Sequence, residues 1–201
     1  MPSKTVVILF SGGTDSCYVL LDALLNTQAP VHAHYVNIGG SERSENERKA
    51  IDAMLPIYQS IRGFTFTESY RDYGGMVANS NIVAMQDAAF LCSHLERNGV
   101  AVSHWMMGGH KGEGHNFARW NKRLPAQEVT QMLIDVFNAT MQPTPPTPFR
   151  LHKMVTKSKQ KSMLKQYGLL EHVWVCNRPE DGRQCGKCGK CEEYKEAKYV
   201  S

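Results

Sequence analysis
No stretch of this sequence approaches the ~18 consecutive apolar residues that a membrane-crossing helix needs. The early apolar run, Val6 to Phe10, stops at a serine and two glycines. The opening MPSKTVVILF is also too short in apolar residues for a secretory signal. The expectation is therefore a cytoplasmic chain without a membrane partner. No internal repeat is present, and neither sign of charge dominates. A net charge of +4 predicts only a mild preference for anions. The excess is uneven, because 12 of the 23 Lys and Arg follow residue 149, against 6 of the 19 acids. That basic quarter suits nucleic acid, a small anionic substrate or plain solvation. Disorder throughout is excluded by a composition of 42% hydrophobic and 21% charged residues. With 201 residues the chain can build one substantial core, not two comfortable domains.

Short apolar runs alternate with helix-period segments over the first two thirds. Val6–Phe10, Val31–Val36, Ile61–Phe66 and Val102–Met107 read as strands. Asp15–Leu25, Glu45–Leu55 and Ile82–Leu95 read as helices between them. This βαβ rhythm predicts a doubly wound, mainly parallel α/β sheet with helices on both faces, in one domain over residues 1–201. Beyond Met107 the pattern loosens into a glycine- and histidine-rich loop, a helix over Gln127–Met141 and the proline stretch Gln142–Pro148. A short basic helix over Lys157–Leu164 and a short strand over Val173–Val175 complete the reading.

The junction LFSGGTDSC, Leu9 to Cys17, carries the first chemical signal. In an open α/β sheet, ligands sit outside the carboxyl ends of strands, which is where Ser11–Ser16 falls. Glycines let backbone N–H groups approach a phosphate, and the following helix aims its N-terminus at the anion. Ser11, Thr14 and Ser16 add hydroxyl donors, while Asp15 fits a helix cap or a magnesium ligand. A plain strand-to-helix turn would also tolerate two glycines. The order Ser-Gly-Gly-x-Asp-Ser is more specific, and it lacks the lysine of an ordinary P-loop. It resembles the PP-loop of the ATP pyrophosphatase superfamily, whose members split ATP into AMP and pyrophosphate.

Six cysteines in a reducing compartment suggest thiols or metal before disulfides. Cys176, Cys185, Cys188 and Cys191 are spaced C-x8-C-x2-C-x2-C. Four thiolates close a tetrahedral zinc shell and leave no position for water, so the expected metal is structural Zn2+. An iron–sulfur cluster shares this type of spacing. Lys187 and Lys190 offset part of the negative charge of a zinc tetrathiolate. Cys17 and Cys92 read as buried small hydrophobes.

Together, SGGTDS near one end and the four cysteines near the other resemble the 7-cyano-7-deazaguanine synthase (QueC) family. Weaker echoes are Gly39, Glu45, Asn81, Gly108, the stretch DVFNATM, and Thr156-Lys157. The resemblance implies ATP with Mg2+ as cofactor, and ammonia and a deazapurine carboxylate as partners. ATP would adenylate the carboxylate, ammonia would displace AMP to give an amide, and a second ATP would lead to the nitrile. It further implies a homodimer and no nucleic-acid partner. Asp15, Ser16 and Lys157 would be catalytic, and ATP would lie against Phe10, Ser11, Gly12, Gly13, Thr14, Asp15, Ser16, Cys17, Tyr18, Val19 and Leu20. The chain departs from the family where Ser80 replaces an arginine, where PAQEVT replaces a Pro-Asp-Cys-Arg-like stretch (Glu128 standing nearest its acid), and where Ser158-Lys159-Gln160 lacks an acid. Three alternatives accordingly stand beside this reading. One is a divergent member that stops at the amide or adenylates another acceptor. A second is a tRNA-modifying PP-loop enzyme, and a third is a zinc-ribbon nucleic-acid module without enzymatic activity. His104, His110 and His115 read as residues of a pocket-lining loop, with His110 or Lys111 in contact with the substrate, or as plainly exposed, Trp105 reads as core, and Phe117 and Trp120 as surfaces on which a flat base could stack.

Overall fold
The structure is a computed structural model that describes residues 3–39, 42–72, 80–109, 135, 147–152 and 155–196. Five strands form one sheet: β1 (Thr5–Leu9), β2 (Val31–Ile38), β3 (Thr65–Arg71), β4 (Val102–Met107) and β5 (Phe149–Leu151). Their order is β3-β2-β1-β4-β5, and every pairing is parallel. The helices are α1 (Thr14–Asn26), α2 (Glu42–Ile61), α3 (Ser80–Arg97), α4 (Lys157–Gln166) and α5 (Gly189–Glu196). Among the described residues, no helix is long and apolar enough to cross a membrane.

Side chains alternate across a strand, and β1 uses both faces. Val6, Ile8 and Phe10 join α1, α2 and Leu164 of α4 in one core. Val7 and Leu9 join Trp105 of β4 and Ala88 and Cys92 of α3 in the other. A strand buried on both sides reads as an unbroken apolar run, which is what TVVIL is. The α3 face also carries a buried polar chain. His32 Nε2 and His34 Nδ1 meet Thr67 Oγ1 at 2.7 and 2.8 Å, and His34 Nε2 lies 3.1 Å from Ser69 Oγ. Ser69 donates to Asp87, which also pairs with Arg71 at 2.8 Å. Burial lowers both imidazole pKa values, that of His34 to about 4, so the chain rests on neutral rings near pH 7.

Strand β5 and helix α5 have no counterpart in the sequence expectation, and other elements differ from it. Helix α2 runs to Ile61 and passes through Pro56, six residues beyond the expected end. The third strand accordingly begins at Thr65, and Ile61 belongs to the helix. Val173–Val175 forms no strand; it is an extended connection in which Trp174 N–H donates to the Gly12 carbonyl at 3.0 Å. The expected helix over Gln127–Met141 lies outside the described residues apart from Asp135, as do His110, Lys111, His115, Phe117, Trp120 and Glu128.

Chain order places the site. β1, β2 and β3 proceed to one side, and the chain then crosses back to lay β4 on the other flank of β1. The crevice outside the carboxyl end of β1 is therefore the topological switch point, where open α/β sheets take ligands.

Candidate functional site
The turn after β1 is held by its own hydroxyls. Ser16 Oγ accepts the Ser11 N–H at 3.1 Å and donates to the Gly13 carbonyl at 3.1 Å. Gly12 has φ +71, a region that strains any L side chain, and a Cβ there would lie 3.3 Å from Ile51 Cγ1. Gly13 is the N-cap of α1 and supplies no side-chain cap, so Asp15 sits in the first turn and is not the cap. Thr14 is 2% exposed, and its Oγ1 has no hydrogen-bond partner among the described residues. A buried hydroxyl without a partner costs free energy; here it sits beside an uncapped helix start, where an anion would be welcome.

A second glycine brings the crevice together. Gly108 follows β4, and a Cβ on it would fall 2.5 Å from the Asp15 carbonyl carbon and 2.7 Å from Ser16 N. Backbone atoms cannot yield cheaply to such a contact. Gly108→Ala is expected to cost about 1–3 kcal/mol through overpacking, read as a melting temperature lower by about 2–4 °C per kcal/mol. An unchanged melting curve would contradict the close approach.

The turn forms one wall of a cleft of about 110 Å3 that reaches Ser11, Gly13, Thr14 and Asp15. Lys157, at the start of α4, forms another wall, and its Nζ lies 2.6 Å from Asp15 Oδ2. Thr156 fixes that helix start, since its hydroxyl accepts the Lys159 N–H at 3.3 Å. Gln160, fully buried on the same helix, donates to the Gly109 carbonyl at 3.0 Å and ties α4 to the end of β4. From α2 come Arg43 and Glu47, paired at 2.8 Å. Burial raises the Glu47 carboxyl pKa against the lowering effect of Arg43 and of the Tyr35 hydroxyl, which donates at 3.2 Å. The remaining wall is Trp174 and α5, whose Lys190 and Glu193 face the opening.

The four C-terminal cysteines converge, with all sulfurs within 4.8 Å of one another. Cys176 Sγ lies 3.5 Å from Cys185 Sγ and 3.9 Å from Cys188 Sγ. A disulfide needs about 2.05 Å, whereas ligands at ~2.3 Å around a tetrahedral ion stand ~3.8 Å apart. The thiols therefore fit one mononuclear ion. Backbone N–H groups of Cys185 and Cys188 donate to Cys176 Sγ and Cys185 Sγ, both at 3.3 Å, as suits sulfurs carrying negative charge.

No protein-family model matches the sequence, and no curated protein matches it. Solved structures do match. The U34-tRNA thiolase NcsA from Methanococcus maripaludis, with its 4Fe-4S cluster, aligns at 11% identity and a TM-score of 0.51, over 97% of this chain and 65% of that chain. That likeness shows the fold, a parallel α/β sheet with helices packed on it. The chain spans under two thirds of the thiolase's length. A "predicted subunit of tRNA methyltransferase" from Methanocaldococcus jannaschii aligns at 16% identity over 89% of this chain and 93% of that one, with a TM-score of 0.35.

Of the residues expected around ATP, Ser11, Gly13, Thr14 and Asp15 reach the cleft. Phe10, Cys17, Val19 and Leu20 lie in the core, and Tyr18 packs edge-on against His152 at 5.5 Å. Ser16 spends its hydroxyl on the turn itself. Lys157 meets Asp15 across 142 residues of sequence. Cleft residues that sequence reasoning missed include Arg43, Glu47, Trp174, Glu193 and Tyr194. Lys190 was expected to offset the thiolates, and it lines the cleft with its Nζ 3.1 Å from Glu193 Oε2. Lys187 pairs with Glu180 at 2.7 Å.

Proposed function
We propose that the cleft binds ATP with Mg2+ and that the protein is an ATP pyrophosphatase that adenylates an acceptor oxygen. The observation that carries this reading is the set formed by the uncapped α1 start, the Thr14 hydroxyl without a partner among the described residues and the Lys157 ammonium 2.6 Å from Asp15, all facing one cleft. Backbone N–H groups and Thr14 would hold the phosphates, and Lys157 would take up charge that develops on them. Asp15 would hold Mg2+, which supplies further charge neutralisation. The acceptor oxygen attacks the α-phosphorus, forming an O–P bond; the bond to the bridging oxygen breaks, and pyrophosphate leaves with its electron pair.

For the acceptor we propose 7-carboxy-7-deazaguanine, on the strength of the two terminal motifs taken together. Ammonia would then displace AMP to give the amide, and a second adenylation would lead to the nitrile. The test is incubation of the protein with ATP, Mg2+, ammonium and this acid, with products weighed by mass spectrometry. AMP, pyrophosphate and a nitrile are expected. An amide alone identifies a shorter reaction on the same base, and ADP would refute the reading.

The fold likeness to a thiolase motivates a second reading, sulfur transfer to tRNA with an iron–sulfur cluster at the cysteines. Two observations weigh against it. A cluster binding each thiolate through a different iron would hold the sulfurs further apart than 3.5 and 3.9 Å. Burial pushes both Cys17 and Cys92 up to about 12, so neither supplies a thiolate near neutral pH. Iron in the purified protein, with AMP release stimulated by tRNA, would favour this second reading.

A further inference from the structure
Helix α5 joins the cysteine cluster to the cleft. Its first turn contains Cys191 and follows Cys188, while its other face lines the nucleotide cleft with Lys190, Glu193 and Tyr194. It has only eight residues and begins with glycine. A helix that short is not stable in water by itself, so its position depends on what holds its ends.

At the cleft side the hold comes from α4. Lys161, 4% exposed, donates to the Tyr194 carbonyl at 2.8 Å and places its ammonium 4.3 Å from the centre of the Tyr194 ring. One turn earlier on α4, Lys157 Nζ lies 3.7 Å from Glu193 Oε1. The other carboxylate oxygen of Glu193 pairs with Lys190 at 3.1 Å. Glu193 thus stands between two ammonium groups at the rim of the cleft, and that of Lys157 also lies 2.6 Å from Asp15 in the first turn of α1. At the other end of α5 the hold is the cysteine cluster.

We propose that metal bound at the four cysteines and nucleotide bound in the cleft stabilise each other through α5, with Glu193 as the positioning residue that couples them. This rests on the nucleotide reading given above. A metal ion fixes the first turn of α5, which fixes Glu193 and hence the two lysines; phosphates bound by those lysines hold the same helix from the other side. The effect is reciprocal by necessity, because each ligand must change the affinity of the other by the same factor.

The experiment is chelator competition on the zinc-loaded full chain, with and without Mg2+ and α,β-methylene ATP, which cannot be cleaved between its first two phosphates. Nucleotide is expected to raise the chelator concentration needed for half-removal of zinc by about fivefold or more. Glu193→Gln should still load one zinc per chain but show a ratio near one, whereas Glu193→Asp should recover part of the coupling. If the wild type binds the analogue while zinc removal is unaffected, the coupling is refuted and the nucleotide reading stands. If Glu193→Gln couples as strongly as the wild type, the assigned route is wrong. If the zinc-loaded wild type binds no analogue, the nucleotide reading fails and the coupling fails with it.

Discussion

Replacing Lys157 by methionine is expected to lower ATP-dependent AMP formation by about 10²–10³-fold, the usual loss when one preorganised charge is removed from a developing anion. The alternative role for Lys157 is simple neutralisation of Asp15, since the two lie 2.6 Å apart with side chains 11% and 22% exposed. The two roles make opposite statements about the double variant. If Lys157 served only Asp15, then Asp15→Asn with Lys157→Met would recover much of the activity that the lysine variant loses. If each acts on the nucleotide, the double variant is at least as impaired as either single one. We expect the second result. The fold should survive, because losing one charged hydrogen bond costs about 1.5–3 kcal/mol, and each kcal/mol lowers the melting temperature of a chain this size by about 2–4 °C. Kinetics of AMP release beside thermal melts would decide the matter. A kcat within threefold of the wild type in a folded Lys157→Met protein would remove the lysine from the mechanism.

Legibility from sequence followed burial. β1 was plain because all five of its residues are buried, leaving an uninterrupted apolar run against the glycine turn. β3 was misplaced because TFTESYR pairs only with β2 and alternates between half-buried and exposed positions. Its Thr67 and Ser69 look like loop residues until His32 and His34 are set opposite them. Pro56 is unfavourable inside a helix, yet Tyr58 is fully buried two residues later and draws the helix onward. Tyr58 also donates to the Cys17 carbonyl at 2.8 Å, fastening α2 to α1. The far walls of the cleft gave no local signal at all. Arg43 and Glu47 resemble a solvated i,i+4 pair, and Lys190 and Glu193 an i,i+3 pair. Only the three-dimensional path of the chain turns them towards Asp15. Motifs that bind through consecutive backbone groups can be read in one dimension, whereas walls assembled from separate helices cannot.

Loss of metal should be the most damaging single change to the fold. About one zinc per chain is expected in the wild type, and none in Cys188→Ser, by metal analysis. A structural zinc is bound with an apparent free energy of about 10–16 kcal/mol in small metal-dependent domains, as large as the ~5–15 kcal/mol that keeps a whole domain folded. Beyond the sulfurs, its ties to the rest of the chain include the Lys161–Tyr194 contact, the Lys157–Glu193 pair, the bond from Gln184 to the Val173 carbonyl and a bond from Gly182 N–H to Glu42. If only half the lower metal energy is shared with the rest of the chain, about 5 kcal/mol, melting should fall by at least 10 °C. Protease digestion should cut first between residues 176 and 196, because a segment that opens locally is cleaved before the chain unfolds. Chelation of the wild type should reproduce both effects, and added zinc should reverse them. Cys188→Ser protein that retains zinc and melts with the wild type would show that this thiol is not a ligand. Two residues before this segment, Trp174 N–H donates to the Gly12 carbonyl and so ties its start to the glycine turn after β1. The melting of residues 176–196 should therefore weaken nucleotide binding even though none of the four cysteines reaches the cleft.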